Sequence, residues 1–252
     1  MRALVTFALE NEFEPWRKSR RFQRVSVLPS DRTYTARVGS VDVQVVLTGA
    51  GRFATQRAMS EAFRVKPDIC IASGLAGALK PNYAVGRVLV ARGTADLKRA
   101  RFVLSDPELV RDAEELGAAR VERFVTSDHV VATAPEKQSL AASGDAVDME
   151  SLYVLEAAAQ QSIPAVAIRA ISDDSSSDLP LDFDRLFDKQ GAVSLPKVIG
   201  QAVAHPNRIR GLLQLAHQTE RAAANLGAFL DRYLENITEG PYENAKADAI
   251  AV

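Results

Sequence analysis

Short apolar and β-branched runs alternate with longer amphipathic segments along the first two thirds of the chain, and this alternation constrains the fold most. Seven runs predict strands, most of them apolar on both faces, at 2–7, 41–48, 68–73, 87–91, 120–125, 145–149 and 165–171. Helical patterns lie between them, at 54–65, 106–116 and 151–161. Strands buried on both faces need helices on both sides. The pattern therefore predicts an α/β fold with a central mixed β-sheet flanked by helices.

The C-terminal third is predicted to add helices to this core. One helical pattern covers 195–204, and a longer one opens at Pro206 with apolar residues at helical spacing as far as Tyr233. The tail lacks a sustained apolar face and is expected to fray. A length of 252 residues fits one large domain or two small ones. The polar stretch 173–178 is interpreted as a surface loop, so we predict one domain at 1–238 and a flexible tail at 239–252.

Charge and cysteine content exclude several classes of function. The chain has 31 Lys and Arg against 32 Asp and Glu, a formal net charge of −1, so nucleic acid is not an expected partner. A basic cluster at 17–24 is interpreted as a solvated face. The single cysteine, Cys70, cannot form an internal disulfide, which favours a reducing cytoplasm. The apolar run 69–79 is shorter than the roughly 20 residues of a membrane span, so no span is expected.

Polar residues and glycines follow several predicted strands, where α/β sheets form their sites. Gly49, Gly51 and Arg52 follow the second strand in a turn that could present N–H groups to an anion. The turn lacks the third glycine of a dinucleotide fingerprint and the Lys-Ser/Thr of a P-loop. A tight strand-to-helix turn explains it equally well, so dinucleotide and ATP binding are disfavoured.

Five segments taken together are far more specific. They are FALENE at 7–12, LTGAG at 47–51, SGLAGAL at 73–79, VDMES at 147–151 and IRAISD at 168–173. In order and spacing they resemble the purine nucleoside phosphorylase and nucleosidase superfamily. Over 1–175 the likeness is greatest to methylthioadenosine/adenosylhomocysteine nucleosidases. LPLDF at 179–183 and the run 206–230 look more like hopanoid-associated phosphorylases.

This resemblance implies hydrolysis of the N-glycosidic bond of a 5'-substituted adenosine, with release of adenine and no metal or organic cofactor. It also implies a homodimer. Glu12 would hold and activate the attacking water with help from Arg169, while Asp173 would protonate the purine at N7 and Ser172 would orient it. Such a division suits a ribosyl group that passes through a cationic, oxocarbenium-like state.

The same resemblance assigns binding roles. Met149 would pack under the ribose and Glu150 would accept its hydroxyls. The rest of the expected substrate pocket comprises Ala76, Gly77, His129 and Val130. Each assignment has a plainer alternative: Glu10 and Glu12 as a solvated face, which is the preferred interpretation for Glu10 only, Asp173 as a loop cap, and Met149 as core filler.

Two departures from the family pattern bear on the reaction. Leu75 stands where the nucleosidases often have a serine, so one hydrogen bond to the water is not accounted for. No Gly-Asp-x-x-Arg segment follows the first strand, which favours hydrolysis over phosphorolysis, although Gly49 to Arg52 could still serve a phosphate co-substrate. A phosphorylase and a non-catalytic nucleoside-binding protein are the alternative functions.

Overall fold

The computed structural model describes residues 1–25, 32–96, 101–180 and 209–237. Within them, twelve strands form one mixed sheet: β1 (Arg2–Phe7), β2 (Gln23–Val25), β3 (Thr33–Val38), β4 (Val41–Leu47), β5 (Ile69–Ala78), β6 (Val88–Ala91), β7 (Gly93–Asp96), β8 (Arg101–Leu104), β9 (Ala119–Val121), β10 (Phe124–Thr126), β11 (Ala146–Asp148) and β12 (Ala165–Asp173). The helices are α1 (Glu10–Ser19), α2 (Arg52–Ala62), α3 (Pro107–Glu115), α4 (Ala134–Leu140), α5 (Ser151–Gln160) and α6 (Ile209–Ile237). The predicted α/β class is confirmed.

Strand β5 is the centre of the sheet. It pairs in parallel with β1 on one edge and with β12 on the other, and its last residues pair antiparallel with β11. Strand β4 continues the parallel set beyond β1. Because these parallel strands end at the same edge of the sheet, the segments that follow them meet there.

Helices cover both faces of the sheet, as the two-sided apolar strands require. On one face Phe7 packs with residues of α1, α3 and α6, including Trp16 and Leu230. On the other face Leu4 packs with residues of α2 and α5, including Met59 and Leu155. The result is a three-layer arrangement with a core on each side of the sheet.

The predicted helical C-terminus is confirmed over the described part of that segment. The second half of α6 is buried against α1 and the sheet. The indole Nε1 of Trp16 donates a hydrogen bond to Asp231 Oδ1 at 2.6 Å, and the Tyr233 hydroxyl donates to the carbonyl of Leu109 at 2.8 Å. Buried polar groups are thereby paired, so α6 is an integral layer of the fold.

Several elements differ from the sequence prediction. Helix α1 was not predicted, because acidic residues and Pro15 mask its pattern; burial of Phe13 and Trp16 stabilises it. Strand β5 continues through the glycines to Ala78, since β11 and β12 supply hydrogen-bonding partners there. The run 120–125 contains two short strands, β9 and β10, that pair with different neighbours. Strands β2, β3, β7 and β8 and helix α4 were also missed.

Some predictions fall on residues outside the described ranges. They are the helix at 195–204, the start of the long segment at Pro206, the domain end at 238 and the tail at 239–252. Among the helices of the described residues, none is both long enough and apolar enough to cross a membrane.

Candidate active site

A cavity of about 200 Å³ opens where β1, β5, β11 and β12 end. Nine of the residues that the sequence singled out line it: Glu12, Ala76, Gly77, His129, Val130, Met149, Glu150, Ser172 and Asp173. Ligands of open α/β sheets bind at this edge, outside the carboxyl ends of the strands. The structure therefore brings most of the predicted site together.

A larger cavity, of about 510 Å³, lies at the opposite end of β1 and β4. Arginines from the N-terminal basic cluster line it, but Arg20 pairs with Asp231 and Glu235, and Arg37 pairs with Asp42. Exposed or already neutralised charges of this kind contribute little to a specific site. We assign the active site to the smaller cavity because it holds the buried carboxyl groups.

Glu12 lies in the first turn of α1 and turns its side chain back into the protein. Its Oε2 accepts hydrogen bonds from the backbone N–H groups of Ala8 and Leu9 at 2.9 and 3.1 Å, and its Oε1 accepts one from Leu75 at 3.3 Å. Burial raises the pKa of the Glu12 carboxyl, against the opposing attraction of Arg169 and these N–H groups. A carboxylate that is held this way and is harder to ionise suits a general base.

Gly74 separates Glu12 from Arg169. Its φ of +135° is a conformation that other residues rarely adopt, and a Cβ there would lie 3.1 Å from Glu12 Oε2 and in still closer contact with Arg169 Nη1. The glycine therefore lets both charged groups approach the same stretch of backbone. The direct partner of Arg169, however, is another residue.

That partner is Asp148, at the end of β11. Asp148 Oδ2 lies 2.9 Å from Arg169 Nη2, and its Oδ1 accepts a hydrogen bond from the Thr126 hydroxyl at 2.8 Å. Arg169 Nε donates to Ser151 Oγ at 3.1 Å. This fully buried network holds the guanidinium away from the cavity lining, so Arg169 acts on Glu12 through its charge and not by direct contact.

Met149 and Glu150 follow β11 and both line the cavity. Glu150 Oε1 accepts a hydrogen bond from the backbone N–H of Gly51 at 2.9 Å, while its Oε2 lies 3.7 Å from Arg169 Nη2. Burial raises the pKa of Glu150 to about 8; Arg169 opposes the shift, and the charges of Asp148 and Glu12 add to it. A ligand in the cavity could therefore hydrogen-bond to the Glu150 carboxyl group while its apolar face packs against the Met149 side chain.

Asp173 ends β12 and has a cation as its nearest charged neighbour. Its Oδ2 lies 2.7 Å from Lys137 Nζ, and its Oδ1 accepts a hydrogen bond from Ser172 Oγ at 2.6 Å. The next carboxylate along the chain, Asp174, binds the hydroxyls of Ser176 and Ser177 instead. Lys137 lies outside every sequence motif, so its place beside Asp173 is visible only in the structure.

His129 stands at the rim of the cavity between two carboxylates. Its Nδ1 lies 2.8 Å from Asp128 Oδ1 and its Nε2 lies 2.6 Å from Glu136 Oε1. The hydrogen bonds to Asp128 and then to Glu136 raise the pKa of His129. The imidazole is thus fixed against α4, and Val130 beside it lines the cavity.

Gly49, Gly51 and Arg52 do not line the cavity, although Ala50 between the two glycines does. The Gly49 N–H donates to the carbonyl of Ala8 at 3.0 Å, and the Gly51 N–H is taken by Glu150. The Arg52 guanidinium lies over the rings of Phe53 and Tyr153, 5.9 Å from each centroid. These three residues thus bind other parts of the protein.

No binding role was predicted from the sequence for the other cavity-lining residues, most of which lie within the motif segments: Ala8, Leu9, Asn11, Ala50, Leu75, Val131, Val147, Asp148, Leu179, Leu215 and Thr219. Leu215 and Thr219 belong to α6, distant in sequence from the motifs. Across the described residues, no group of three or more His, Cys, Asp or Glu side chains is arranged to hold a metal ion.

Comparison with known proteins agrees with this geometry. A family model described as the phosphorylase superfamily matches residues 2–204, which is most of the chain. The chain belongs to this superfamily. Its cavity therefore lies in the part of the chain that the family model covers, except for the wall that α6 supplies.

Among curated relatives of this superfamily member, a 5'-methylthioadenosine/S-adenosylhomocysteine nucleosidase of Listeria monocytogenes is 26% identical over 223 residues, covering 76% of this chain and 96% of the relative. Among solved structures, the nucleosidase of the same name from Helicobacter pylori superposes with a TM-score of 0.72 at 15% identity, covering 94% and 98% of the two chains. Futalosine hydrolase of Helicobacter pylori superposes with a TM-score of 0.71 at 16% identity, with the same coverage. At these identities the structural likeness shows the fold.

Proposed function

We propose that this protein hydrolyses the N-glycosidic bond of a 5'-substituted adenosine and releases adenine. The observation that carries the proposal is that Glu12 and Asp173 line one cavity together with Met149 and Glu150. Strands β1 and β12 flank β5, so the two carboxyl groups enter the cavity from opposite sides of the central strand. Two carboxyl groups with separate tasks are what glycoside hydrolysis requires.

In the proposed reaction, Glu12 takes a proton from water as the water oxygen bonds to C1' of the ribose. The C1'–N9 bond breaks, its electron pair moves into the purine, and Asp173 donates a proton to N7. The products are adenine and the 5-substituted ribose. Glu150 would bind the ribose hydroxyls, with Met149 packed under the ring.

The surroundings of the glycine turn favour water over phosphate as the nucleophile. The N–H groups of Gly49 and Gly51 already bind protein acceptors, and Arg52 lies over two aromatic rings. An ionised Glu12 would in addition repel a phosphate dianion, and the buried cation near it, Arg169, is already paired with Asp148. Leu75 stands where the nucleosidases often have a serine. Its backbone N–H donates a hydrogen bond to Glu12 Oε1.

The cavity wall favours an apolar 5' substituent. Leu9, Leu179 and Leu215 line it, and a thioether or alkyl group would bury apolar surface against such side chains. The fold is shared by a methylthioadenosine/adenosylhomocysteine nucleosidase and a futalosine hydrolase, so we would test substrates with several different 5' substituents. That panel is methylthioadenosine, adenosylhomocysteine, 5'-deoxyadenosine, inosine and an adenosylated lipid.

Chromatography of the products with and without phosphate tests the proposal. We expect free adenine in phosphate-free buffer, and the same rate after treatment with a chelator, because no metal or organic cofactor is required. Adenine that forms only with phosphate, together with a ribose 1-phosphate, would replace hydrolysis by phosphorolysis. Tight adenosine binding without turnover on any substrate would identify a nucleoside-binding protein.

We further propose that the protein is a cytoplasmic homodimer. The family resemblance supports the dimer, and Phe53, in the first turn of α2, is 84% exposed and is a candidate contact residue. Burial raises the pKa of the Cys70 thiol to about 12, which suits an unreactive free cysteine in a reducing compartment. Light scattering at micromolar concentration should give twice the mass of 27.3 kDa, and a monomer would remove the dimer from the proposal.

A further inference from the structure

Helix α4 carries a buried cation that no step of the proposed reaction uses. The Lys137 side chain has 0% exposure, although an ammonium group is strongly hydrated in water and is costly to bury without partners. Its Nζ lies 2.7 Å from Asp173 Oδ2 and donates hydrogen bonds to the carbonyls of Asp174 and Ser177 at 2.7 and 3.0 Å. All three ammonium hydrogens therefore have an acceptor.

The ion pair and a second hydrogen bond fix the orientation of the Asp173 carboxyl group. Lys137 holds one carboxyl oxygen and the Ser172 hydroxyl holds the other. On the β5 side, a Cβ at Gly77 would lie 3.0 Å from Oδ2, so the carboxyl also packs closely against the central strand. A carboxyl group fixed by two partners and one wall is preorganised toward the cavity that it lines.

We propose that Lys137 is a positioning residue for Asp173: it aims the carboxyl group at the purine and counters the negative charge left when the proton moves to N7. The inference rests on the proposed function. In the step concerned, Asp173 first takes up a proton from solvent; as the C1'–N9 electron pair moves into the purine, that proton passes from Asp173 to N7, and the carboxylate that forms again remains beside the ammonium. A fixed cation at that point stabilises the charge without reorganisation.

Besides Lys137, two hydrogen bonds join α4 and the residues just before it to the loop that follows β12. The N–H of Ala134 donates to Asp178 Oδ1 at 2.8 Å, and the N–H of Leu179 donates to the carbonyl of Ala132 at 2.7 Å. These contacts remain when the lysine is replaced. Replacement should therefore affect the direction and charge of Asp173 more than the path of the backbone.

The first test is the variant K137M, assayed for adenine release. We expect kcat to fall about 100-fold, as for a misplaced catalytic group, with KM changed only slightly. In a D173N background, K137M should cause no further loss, because its effect passes through the acid. The matched control is K80M, since Lys80 pairs with Asp145 at 2.6 Å away from the cavity lining; its kcat should be unchanged.

The second test separates acid catalysis from structure. In a 4-nitrophenyl riboside the nitrophenolate leaves without taking up a proton, so its cleavage does not need Asp173 as an acid. K137M should therefore cleave this substrate at the wild-type rate. Three results would overturn the inference while leaving the proposed function intact. They are an equal loss of kcat on both substrates, a further loss of kcat when K137M is added to D173N, and an unchanged kcat of K137M on adenosine substrates. K137Q gives the same test if K137M does not fold, and loss of the fold in both variants would make Lys137 structural. Absence of adenine with the wild type would refute the proposed function itself.

Discussion

Replacement of Glu12 by glutamine separates its chemical role from its structural one. The amide oxygen can keep the hydrogen bonds from the Ala8 and Leu9 N–H groups, but the amide NH2 cannot accept from Leu75. One lost bond costs about 1–3 kcal/mol of the free energy of unfolding. A domain typically has about 5–15 kcal/mol of stability, so the variant should remain folded.

Catalysis should fall much further, because an amide cannot take the proton from water. Loss of a general base lowers kcat by roughly 10²- to 10⁴-fold, or about 3–5 kcal/mol at the barrier. Adenine release gives the rate, and urea unfolding followed by circular dichroism gives the stability. Glu10 in the same helical turn provides the control: it binds Arg17 and the Tyr34 hydroxyl at a half-exposed position, so E10Q should keep kcat within about twofold.

The refuting result is specific. If folded E12Q retained a rate close to that of the wild type, Glu12 would be a helix-capping residue and not the base. If E10Q lost as much activity as E12Q, the cause would be the local fold of α1. Either outcome would confine the family resemblance to the fold.

Three further predictions follow from the site. D173N leaves the buried Lys137 without its carboxylate, so this variant should lose activity and about 3–5 kcal/mol of its free energy of unfolding in urea. The double variant D173N/K137M should regain stability but stay inactive. A D173N variant as stable as the wild type would contradict the ion pair. The ionised form of Glu150 is the one proposed to accept the ribose hydroxyls, and burial raises its pKa to about 8, so KM should fall as pH rises toward 8, and E150Q should abolish this dependence. G74A should lower both thermal stability and activity, because its φ of +135° strains alanine by about 1–3 kcal/mol and its Cβ meets Arg169; wild-type kinetics would show that this geometry is not required.

The elements that sequence predicted well have one strong local signal. Strands β1 and β12 are mostly apolar, β4 is rich in valine, and helices α2, α3 and α5 have helical apolar patterns, so their positions agree to within a few residues. Helix α1 lacks that signal because Pro15 interrupts it and acidic residues open it; contacts with α6, which is distant in sequence, stabilise it. Strand β2 is exposed at all three of its positions, so no alternation marks it.

The same distinction applies to the candidate site. Glu12, Met149 and Asp173 lie within short motifs, so the family resemblance was enough to predict that they share a pocket, and all three line the cavity. Lys137 was missed because its significance arises from a partner on a distant strand, and α4 has no apolar period to predict it. The interpretation of Arg169 was incomplete for the same reason, since only the fold brings Asp148 to its guanidinium.

The distribution of charge across the cavity argues for catalysis over binding alone. Burial raises the pKa of both Glu12 and Glu150, so the protein sustains a free-energy cost whenever these groups ionise. A protein that only binds a neutral nucleoside gains little from that cost. Cleavage of the glycosidic bond, however, places positive charge on the ribosyl group and negative charge on the purine. In the proposed reaction, the carboxyl groups would oppose the charge on the ribosyl group, and the pair of Asp173 and Lys137 would oppose the charge on the purine, as expected of a preorganised site that lowers a barrier.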